Sequence, residues 1–336
     1  MKKTIFILVY LNVFFVLLFC ACGCADKPVV PDRVERNNDT NGNGSIATAA
    51  ISSSSIVVTN AGGGVDKEKY IFRYKFQKGD EFRWNVVQRL KIDTTIKGTN
   101  EIVDTYSKSV KVWRVLDVSA DNIAKFEYWV EGVDMRKIQT NQDLAEYNST
   151  RDREIPKEFR SLEGTIGVPL AHFMIDMQGV IRRKIPLKIY SDESRENRIV
   201  IHLPESALSV GDSWTVDLPV VEVQLYAGGD KIKKVAAKQR YVLESVQTGA
   251  AKIKFDTQVL TPLDPSMQAK VLDCYAFGEL TFDIDAGKIL SQKITVDKTV
   301  VGFIERNDSL HHISRLTECS CGLKSCEICQ EKNKSQ

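Results

Sequence analysis

The stretch "KGDEFRWNVVQRLKID", residues 78–93, opens with a turn-forming Gly-Asp pair and then places an apolar side chain at almost every second position. The apolar positions are Phe82, Trp84, Val86, Leu90 and Ile92. Charged or polar residues stand between them, and a period of two is typical of a strand with one buried face. The stretch therefore predicts a turn followed by a half-buried β-strand.

The same alternation returns along the chain, whereas helical spacing is rare. It recurs around residues 110–112, 124–130, 214–220, 253–259 and 290–296. Short helices are expected only at residues 142–147 and 156–162, the second with Pro at its first position. The pattern predicts a mainly β fold of antiparallel strands, arranged as curved sheets or as a sandwich, with few short helices.

Three pairs of segments recur in the same order and indicate an internal duplication. "KGDEFRW" (78–84) recurs as "VGDSWTV" (210–216), "RVLDVSADNIAKFEYWV" (114–130) parallels "YVLESVQTGAAKIKFDTQV" (241–259), and "FMIDMQGVI" (173–181) parallels "FDIDAGKI" (282–289). The last two pairs read as strand, tight turn and strand. We therefore predict two related β halves, residues 68–200 and 201–312, followed by a Cys-rich tail at 313–336.

The N-terminus has the layout of a secretory signal. Lys2 and Lys3 precede an apolar run from residue 5 to 19, which ends in small residues and cysteines. Residues 1–24 resemble the signal of bacterial lipoproteins, in which a small residue precedes the Cys that becomes the lipidated N-terminus. Cys22 and Cys24 both fit that position. The resemblance implies export and membrane anchoring on the periplasmic or outer side of the envelope; a cleaved soluble form and an uncleaved anchor remain alternatives.

Residues 25–67 are rich in Asn, Gly, Ser and Thr and short of large aromatic residues. Such a composition buries too little apolar surface to offset the entropy of ordering the chain. We predict a disordered tether with an end-to-end distance of about 35 Å. A tether of this length would hold a folded domain clear of a lipid surface.

The segment "LPESALSVGDSW", residues 203–214, resembles a broad group of uncharacterised exported bacterial β-proteins. In that group a Leu-Pro and a small loop lead into a Gly-Asp-Ser-Trp strand start. The resemblance implies an antiparallel fold and no known activity. It also implies structural roles for Asp80, Asp212, Trp84 and Trp214, because the Asp turns the chain and the Trp fills the core.

Charge and motifs argue against two broad functional classes. Lys plus Arg number 46 and Asp plus Glu number 44, and no basic block carries interleaved aromatics, so nucleic acid is not an expected partner. A nucleophile elbow, a P-loop and a dinucleotide-binding loop are all missing from the sequence. We therefore predict no enzymatic activity. Asp283 and Asp285 are interpreted as solvated turn residues, not as a cation site.

The sharpest cluster is "CSCGLKSCEIC", residues 319–329, which holds Cys319, Cys321, Cys326 and Cys329. Four thiolates at this spacing can surround one zinc ion, and His311 and His312 are possible additional ligands. Oxidising conditions outside the cytoplasm favour disulfides instead. Free or redox-active thiols are the third alternative. Cys274, alone in "VLDCYAF", is interpreted as a small buried hydrophobe.

These features together predict a cell-envelope lipoprotein that binds a hydrophobic ligand or an envelope partner without catalysis. The expected partners are the membrane, through the lipid anchor, and an apolar ligand or envelope protein. Two alternatives stay open: a passive structural envelope protein, and a metal-handling protein that uses the C-terminal cysteines. No cofactor is expected, apart from zinc in the metal-handling alternative.

Overall fold

The computed structural model describes residues 55–56, 68–188, 199–224, 232–304 and 308–322. The predicted signal at 1–24, with Cys22 and Cys24, lies outside the described residues. So do nearly all of the predicted tether at 25–67 and the last two cysteines, Cys326 and Cys329.

Strands dominate both halves, which confirms the predicted mainly β fold with few short helices. Strand β1 (Ser55–Ile56) lies within the range predicted as a tether. The first half contains β2 (Lys69–Tyr70), β3 (Glu81–Ile96), β4 (Thr99–Val118), β5 (Ala124–Gln139), β6 (Ala145–Asn148), the 3-10 helix η1 (Lys157–Leu162), β7 (Pro169–Ile175) and β8 (Ile181–Pro186). The second contains β9 (Ser213–Asp217), β10 (Val221–Gln224), β11 (Ile232–Val235), β12 (Ala237–Gln247), β13 (Ala250–Val259), helix α1 (Pro265–Lys270), the 3-10 helix η2 (Leu272–Tyr275), β14 (Phe277–Asp283), β15 (Lys288–Val301) and β16 (Ser309–Gly322).

Two helical expectations need correction. Residues 142–147 do not form a helix, because Ala145–Asn148 pairs with β5 as strand β6. Helix α1 was not expected, although its start carries a clear signal. Asp264 accepts a hydrogen bond from the Met267 N–H and Pro265 follows it directly, which together begin a helix.

One antiparallel sheet contains most of the strands. Its order is β8-β7-β5-β4-β3-β16-β15-β14-β13-β12-β9, with β6 added beside β5. Strands β1 and β2 pair separately, as do β10 and β11. In the first half the order runs β8-β7-β5-β4-β3, and in the second β15-β14-β13-β12-β9, so each half places its five strands in the same sequence. Strand β16 lies between β15 and β3 and joins the halves.

The Gly-Asp turns before β3 and β9 have the same hydrogen bonds. Asp80 Oδ2 accepts from the Gln77 N–H at 2.8 Å, and Asp212 Oδ2 accepts from the Ser209 N–H at 2.8 Å. In each turn the Gly N–H also donates to the carbonyl of a core residue on the adjacent long strand. These bonds are Gly79 to Val115 at 2.9 Å and Gly211 to Leu243 at 2.8 Å. The predicted duplication therefore extends to backbone geometry.

Two β-bulges occur at equivalent places in the two halves and show which residues of one half correspond to which residues of the other. The ladder shifts register between Val115 and Asp117 in β4, and between Leu243 and Ser245 in β12. A second shift lies between Met174 and Ile175 in β7 and between Thr281 and Phe282 in β14. Aligning these bulges pairs Ile175 with Phe282, two residues from the sequence alignment.

The sheet is curved around a segment that precedes β3. Tyr74 and Phe76 stack at 5.3 Å between ring centroids, Tyr74 contacts Phe282 of β14 at 5.5 Å, and Phe76 contacts Phe126 of β5 at 4.9 Å. In the sheet, β4, β3, β16 and β15 separate β5 from β14. A flat sheet would hold them roughly 24 Å apart at about 4.8 Å per strand. The sheet must therefore bend, and we call the face toward Tyr74 the inner face.

A second segment, residues 199–209, most of it buried, runs antiparallel to the first inside the curve. Tyr70 and Leu208 exchange backbone hydrogen bonds at 2.8 and 2.9 Å. The Tyr74 hydroxyl accepts from the Ile201 N–H at 2.8 Å and lies 3.2 Å from the Ile201 carbonyl, and burial raises the pKa of Tyr74. The indole N–H of Trp214 in edge strand β9 donates to the His202 carbonyl at 2.9 Å. The two segments thus connect both halves to one core.

Strand β16 changes the interpretation of the C-terminus. The predicted boundary between residues 312 and 313 falls inside this strand, and residues 313–322 pair with β3 along one edge and largely with β15 along the other. The inward-facing positions of β16 include Arg315 and Thr317, both buried. Polar residues on the buried face hide the alternation that the other strands show.

The hairpin turn after β7 provides a direct test of this packing. A Cβ at Gly179 would lie 2.2 Å from the Ile201 carbonyl oxygen, whereas a Cβ at Gly98 would meet nothing within 4 Å. Both glycines have positive φ. Gly98→Ala should lower the free energy of unfolding by about 1 kcal/mol, the cost of left-handed backbone. Gly179→Ala should cost about 1–3 kcal/mol more, because residues 199–203 must move. Urea unfolding of both variants measures the difference, and equal losses would contradict the close packing of Gly179 against Ile201.

Candidate functional site

The described cysteines of the predicted cluster point toward the core. Cys319 is 5% exposed, opposite Val86 on β3, and Cys321 is half-buried opposite Trp84. Burial raises the pKa of the Cys321 thiol, and Lys288 lowers it by a smaller amount. A protonated thiol is a poor metal ligand and a poor nucleophile. Among Cys274, Cys319 and Cys321 no disulfide is formed, and Cys274 is buried, as its apolar sequence context indicates.

The structure does not bring the two predicted histidines to these cysteines. His311 lies on the inner face, with Nδ1 2.8 Å from Thr94 Oγ1, and His312 faces outward, with Nε2 3.0 Å from Asp297 Oδ1. Eight strand residues separate His311 from Cys319, roughly 27 Å. Within the described ranges, no three His, Cys, Asp or Glu side chains are placed to hold one metal ion. A zinc site or disulfide that includes Cys326 and Cys329 stays a prediction.

The residues predicted to be structural lie in turns and in the core. Asp283 Oδ1 accepts from the Ala286 N–H at 2.7 Å, which makes it a turn residue. The Asp285 carbonyl accepts from Lys75 Nζ at 2.8 Å. Trp84 is buried, and Trp214 stacks on Tyr241 at 4.9 Å between ring centroids. These contacts give the residues roles in turns and in the core.

An open groove lies on the outer face of the second half. It has a volume of about 680 Å³, within the range of ligand sites in proteins. Outward side chains of β12–β15 and the turn before β9 line it, among them Val210, Val242, Lys254, Phe277, Glu279 and Lys293. Phe277 is 47% exposed and Val210 is 42% exposed. We call this feature the outer groove.

The charges of the outer groove are matched within the protein. Lys254 is paired with Glu244, and Lys252 beside the groove lies 3.1 Å from Glu279 and 3.4 Å from Glu244. The hydrogen bond from Lys254 lowers the pKa of Glu244, and the bond to Glu279 raises the pKa of Lys252. Because these four ions pair with one another, the exposed apolar side chains Val210 and Phe277 are the main surface that the groove offers to a ligand.

The equivalent position in the first half is filled. The aligned turns and bulges place Arg114 where the second half has Val242, and Glu81 where it has Ser213. The Arg114 guanidinium lies 4.9 Å from the ring centroid of Trp129 and donates to Glu81 Oε2 at 2.9 and 3.1 Å. The stacked, hydrogen-bonded Arg114 thus covers this position in the first half. In the second half the smaller Val242 and Ser213 leave it open.

The inner face carries a row of polar residues that the sequence pattern did not predict. We call it the polar band, and it consists of Gln88 on β3, Ser107, Ser109 and Lys111 on β4, and Arg315 and Thr317 on β16. Arg315 is 7% exposed and its Nη1 lies 2.6 Å from Asp273 Oδ1; Thr317 is 1% exposed. The other four side chains are half-buried. One signal was present, because the apolar alternation of β3 breaks at Gln88.

Comparisons with known proteins place the chain in no established family. No family model matches it, and no curated protein sequence matches it. A solved structure titled "Lipid-protein interactions in lipovitellin" has a TM-score of 0.37 at 10% identity and covers 75% of this chain and 26% of that chain. A structure of MucB in complex with MucA(peri) has a TM-score of 0.09 at 8% identity and covers 70% and 88%.

None of the helices in the described part of the chain has the length and apolar character that a membrane span requires.

His311 provides a pH-dependent test of its inward position. Burial, with a smaller effect of His312, lowers its pKa below the ordinary 6.5. The unfolded chain therefore takes up a proton at a higher pH than the folded chain does, and stability falls as the pH drops below about 6.5. His311→Gln should reduce the loss of unfolding free energy between pH 7.5 and 5.5, measured by urea denaturation. His312→Gln, the outward-facing control, should change it less; the reverse order would contradict the burial of His311.

Proposed function

We propose that this chain is an exported, membrane-anchored protein that binds an apolar or amphiphilic partner in the outer groove without catalysis. The observation that carries the proposal is the groove itself, where Phe277 and Val210 are exposed beside paired charges. Large apolar side chains in a concave surface favour association, since covering them removes apolar area from water.

The open shape and charge balance of the groove limit what it can hold. Covering the apolar surface of the groove contributes about 3 kcal/mol before the costs of ordering the complex. Binding of a small ligand should therefore be modest and reversible. The paired lysines and glutamates give no preference for one sign of charge. An elongated apolar chain, or an extended apolar segment of another protein, fits these properties.

The membrane anchor follows from the sequence of the N-terminus. A lipid on Cys22 or Cys24 would hold the body near a bilayer through the tether of residues 25–67. Confinement near a surface raises the effective concentration of a membrane-bound partner, so modest affinity is sufficient. The metal-handling alternative is less favoured by the geometry, because Cys319 would have to leave the core to bind an ion.

Binding to the groove can be measured with N-phenyl-1-naphthylamine, an uncharged apolar fluorophore. Phe277→Ser should weaken its binding about tenfold, because the exposed ring supplies much of the apolar contact area. Ile138→Ser is the matched control, since Ile138 is 54% exposed on a strand of the other half. Fluorescence titration of both variants decides the question. Equal affinity in the two variants, or no binding by the wild-type chain, would exclude the groove as the binding site.

Anchoring is tested by intact-mass spectrometry of protein extracted from the membranes of the native cell. We expect a chain that begins at Cys22 or Cys24 and carries the added mass of two or three acyl groups. Cys22→Ser and Cys24→Ser variants identify the site, because only one should abolish the modification. A chain that retains Met1, or a cleaved chain without lipid, would overturn the anchor.

A further inference from the structure

Two charged side chains at the outer groove have no partner of their own. Arg240 on β12 lies directly opposite Asp256 on β13, and Asp256 lines the groove. Both side chains are exposed, and within the described residues neither forms a hydrogen bond or an ion pair, even with the other. By contrast, Lys293 of the groove lies 4.0 Å from Glu318. Arg240 and Asp256 are therefore available to a ligand.

Apolar side chains lie beside each member of this charged pair. Phe277 on β14 is directly opposite Asp256, and Val242 follows Arg240 by two positions, on the same face of β12. Phe277, Val242 and Val210 all line the groove. The surface thus places a cation next to aliphatic carbon and an anion next to an exposed aromatic ring.

The first half shows that the fold does not need charges at these two positions. The aligned turns and bulges place Val112 where the second half has Arg240, and Trp129 where it has Asp256. Val112 is fully buried and packs against Trp129. The same pair of positions therefore gives apolar packing in one half and two exposed, unpaired charges in the other.

Each of the two charges favours a different chemical group. A guanidinium binds a phosphate through two parallel hydrogen bonds. A carboxylate beside an exposed aromatic ring favours an ammonium, because a cation–π attraction adds to the ion pair. Residues directly opposite in an antiparallel ladder have Cα atoms roughly 4.5–5.5 Å apart. A ligand in which two carbon atoms separate a phosphate from an ammonium can therefore reach both side chains at once.

We propose that the outer groove binds a zwitterionic phospholipid, with its phosphate on Arg240, its ammonium on Asp256 and Phe277, and its apolar chain along Val242 and Val210. This inference names the ligand class of the groove and rests on the function proposed above. In such a lipid the phosphate stands between the ammonium and the apolar chain. Arg240 likewise stands between Asp256 and Val242, so the binding groups follow the order of groups in the lipid.

The charges of the groove favour a zwitterion over an amphiphile with a single charge. Arg240 and Asp256 sum to zero, and the lysines and glutamates of the groove pair with acidic or basic neighbours. An anionic head group on Arg240 would be repelled by Asp256, and a cationic head group on Asp256 would be repelled by Arg240. A head group with both charges gains both attractions.

The test measures how well four amphiphiles with the same dodecyl chain displace N-phenyl-1-naphthylamine from the groove. They are dodecylphosphocholine, dodecyl phosphate, dodecyltrimethylammonium and neutral dodecyl maltoside, each used below the concentration at which it forms micelles. Dodecylphosphocholine should bind at least fivefold tighter than each of the others. Phosphocholine without a chain should not displace the fluorophore, which distinguishes a lipid from a free head group.

Two charge variants assign the two ends of the head group. Asp256→Asn should weaken dodecylphosphocholine binding about fivefold without weakening dodecyl phosphate binding. Arg240→Gln should weaken dodecylphosphocholine binding to a similar extent without weakening dodecyltrimethylammonium binding. Asp104→Asn and Arg89→Gln are the matched controls, since both residues are exposed in the first half and also lack a partner among the described residues. Each control should change the affinity less than twofold.

The outcomes separate the lipid site from the function on which it rests. Fluorophore binding that persists in every charge variant shows that the groove is folded. Equal displacement by the four amphiphiles, or equal affinity for dodecylphosphocholine in the charge variants and their controls, would overturn the head-group site and leave an apolar groove. No fluorophore binding by the wild-type chain, or unchanged binding in Phe277→Ser, would overturn the proposed function of the groove and the lipid site with it.

Discussion

The stacked pair Tyr74 and Phe76 sets the shape of this molecule. One ring contacts Phe282 in the second half and the other contacts Phe126 in the first, so strands on opposite sides of β16 are held around a single core. Large aromatic side chains supply this kind of contact efficiently, because each buries 150–250 Å² and tolerates edge-to-face packing. Curvature in turn distinguishes the inner face, which carries the polar band, from the outer face, which carries the groove.

Joining the halves requires the last strand of the chain. Strand β16 pairs with β3, which begins more than two hundred residues earlier, so the centre of the sheet forms only when both ends of the body are present. Contacts of such high sequence separation close long loops and slow folding. The ion pair between buried Arg315 and exposed Asp273 then connects the middle of β16 to helix η2. The C-terminal region is thus part of the sheet as far as Gly322, well past the predicted boundary at residue 312.

Much of this architecture could be predicted from the sequence, and the failures have physical reasons. Alternation identified β3, β4, β5 and β13, because each has one apolar and one polar face. The Gly-Asp turns revealed the duplication. Strand β16 was not predicted because its inward positions include polar residues. The sequence alignment of residues 173–181 with 282–289 was wrong by two positions, because a residue pattern does not show β-bulges. The outer groove is formed by neighbouring side chains from four strands, β12 to β15. Which side chains are neighbours depends on the register of the sheet, so the sequence alone does not predict the groove.

The outer groove and the polar band both lie where the two halves cease to match. Val242 lines the outer groove, and the equivalent position in the first half holds Arg114, which is hydrogen-bonded to Glu81 and stacked on Trp129. The polar band depends on β16, which pairs with the last strand of one half and the first strand of the other and has no equivalent among the described strands. Equivalent positions in the two halves of a duplicated fold meet the same requirements for folding. Positions where the halves differ are therefore where requirements of function can determine the residue. The groove is therefore a better candidate for function than the turns and core aromatics that the halves hold in common.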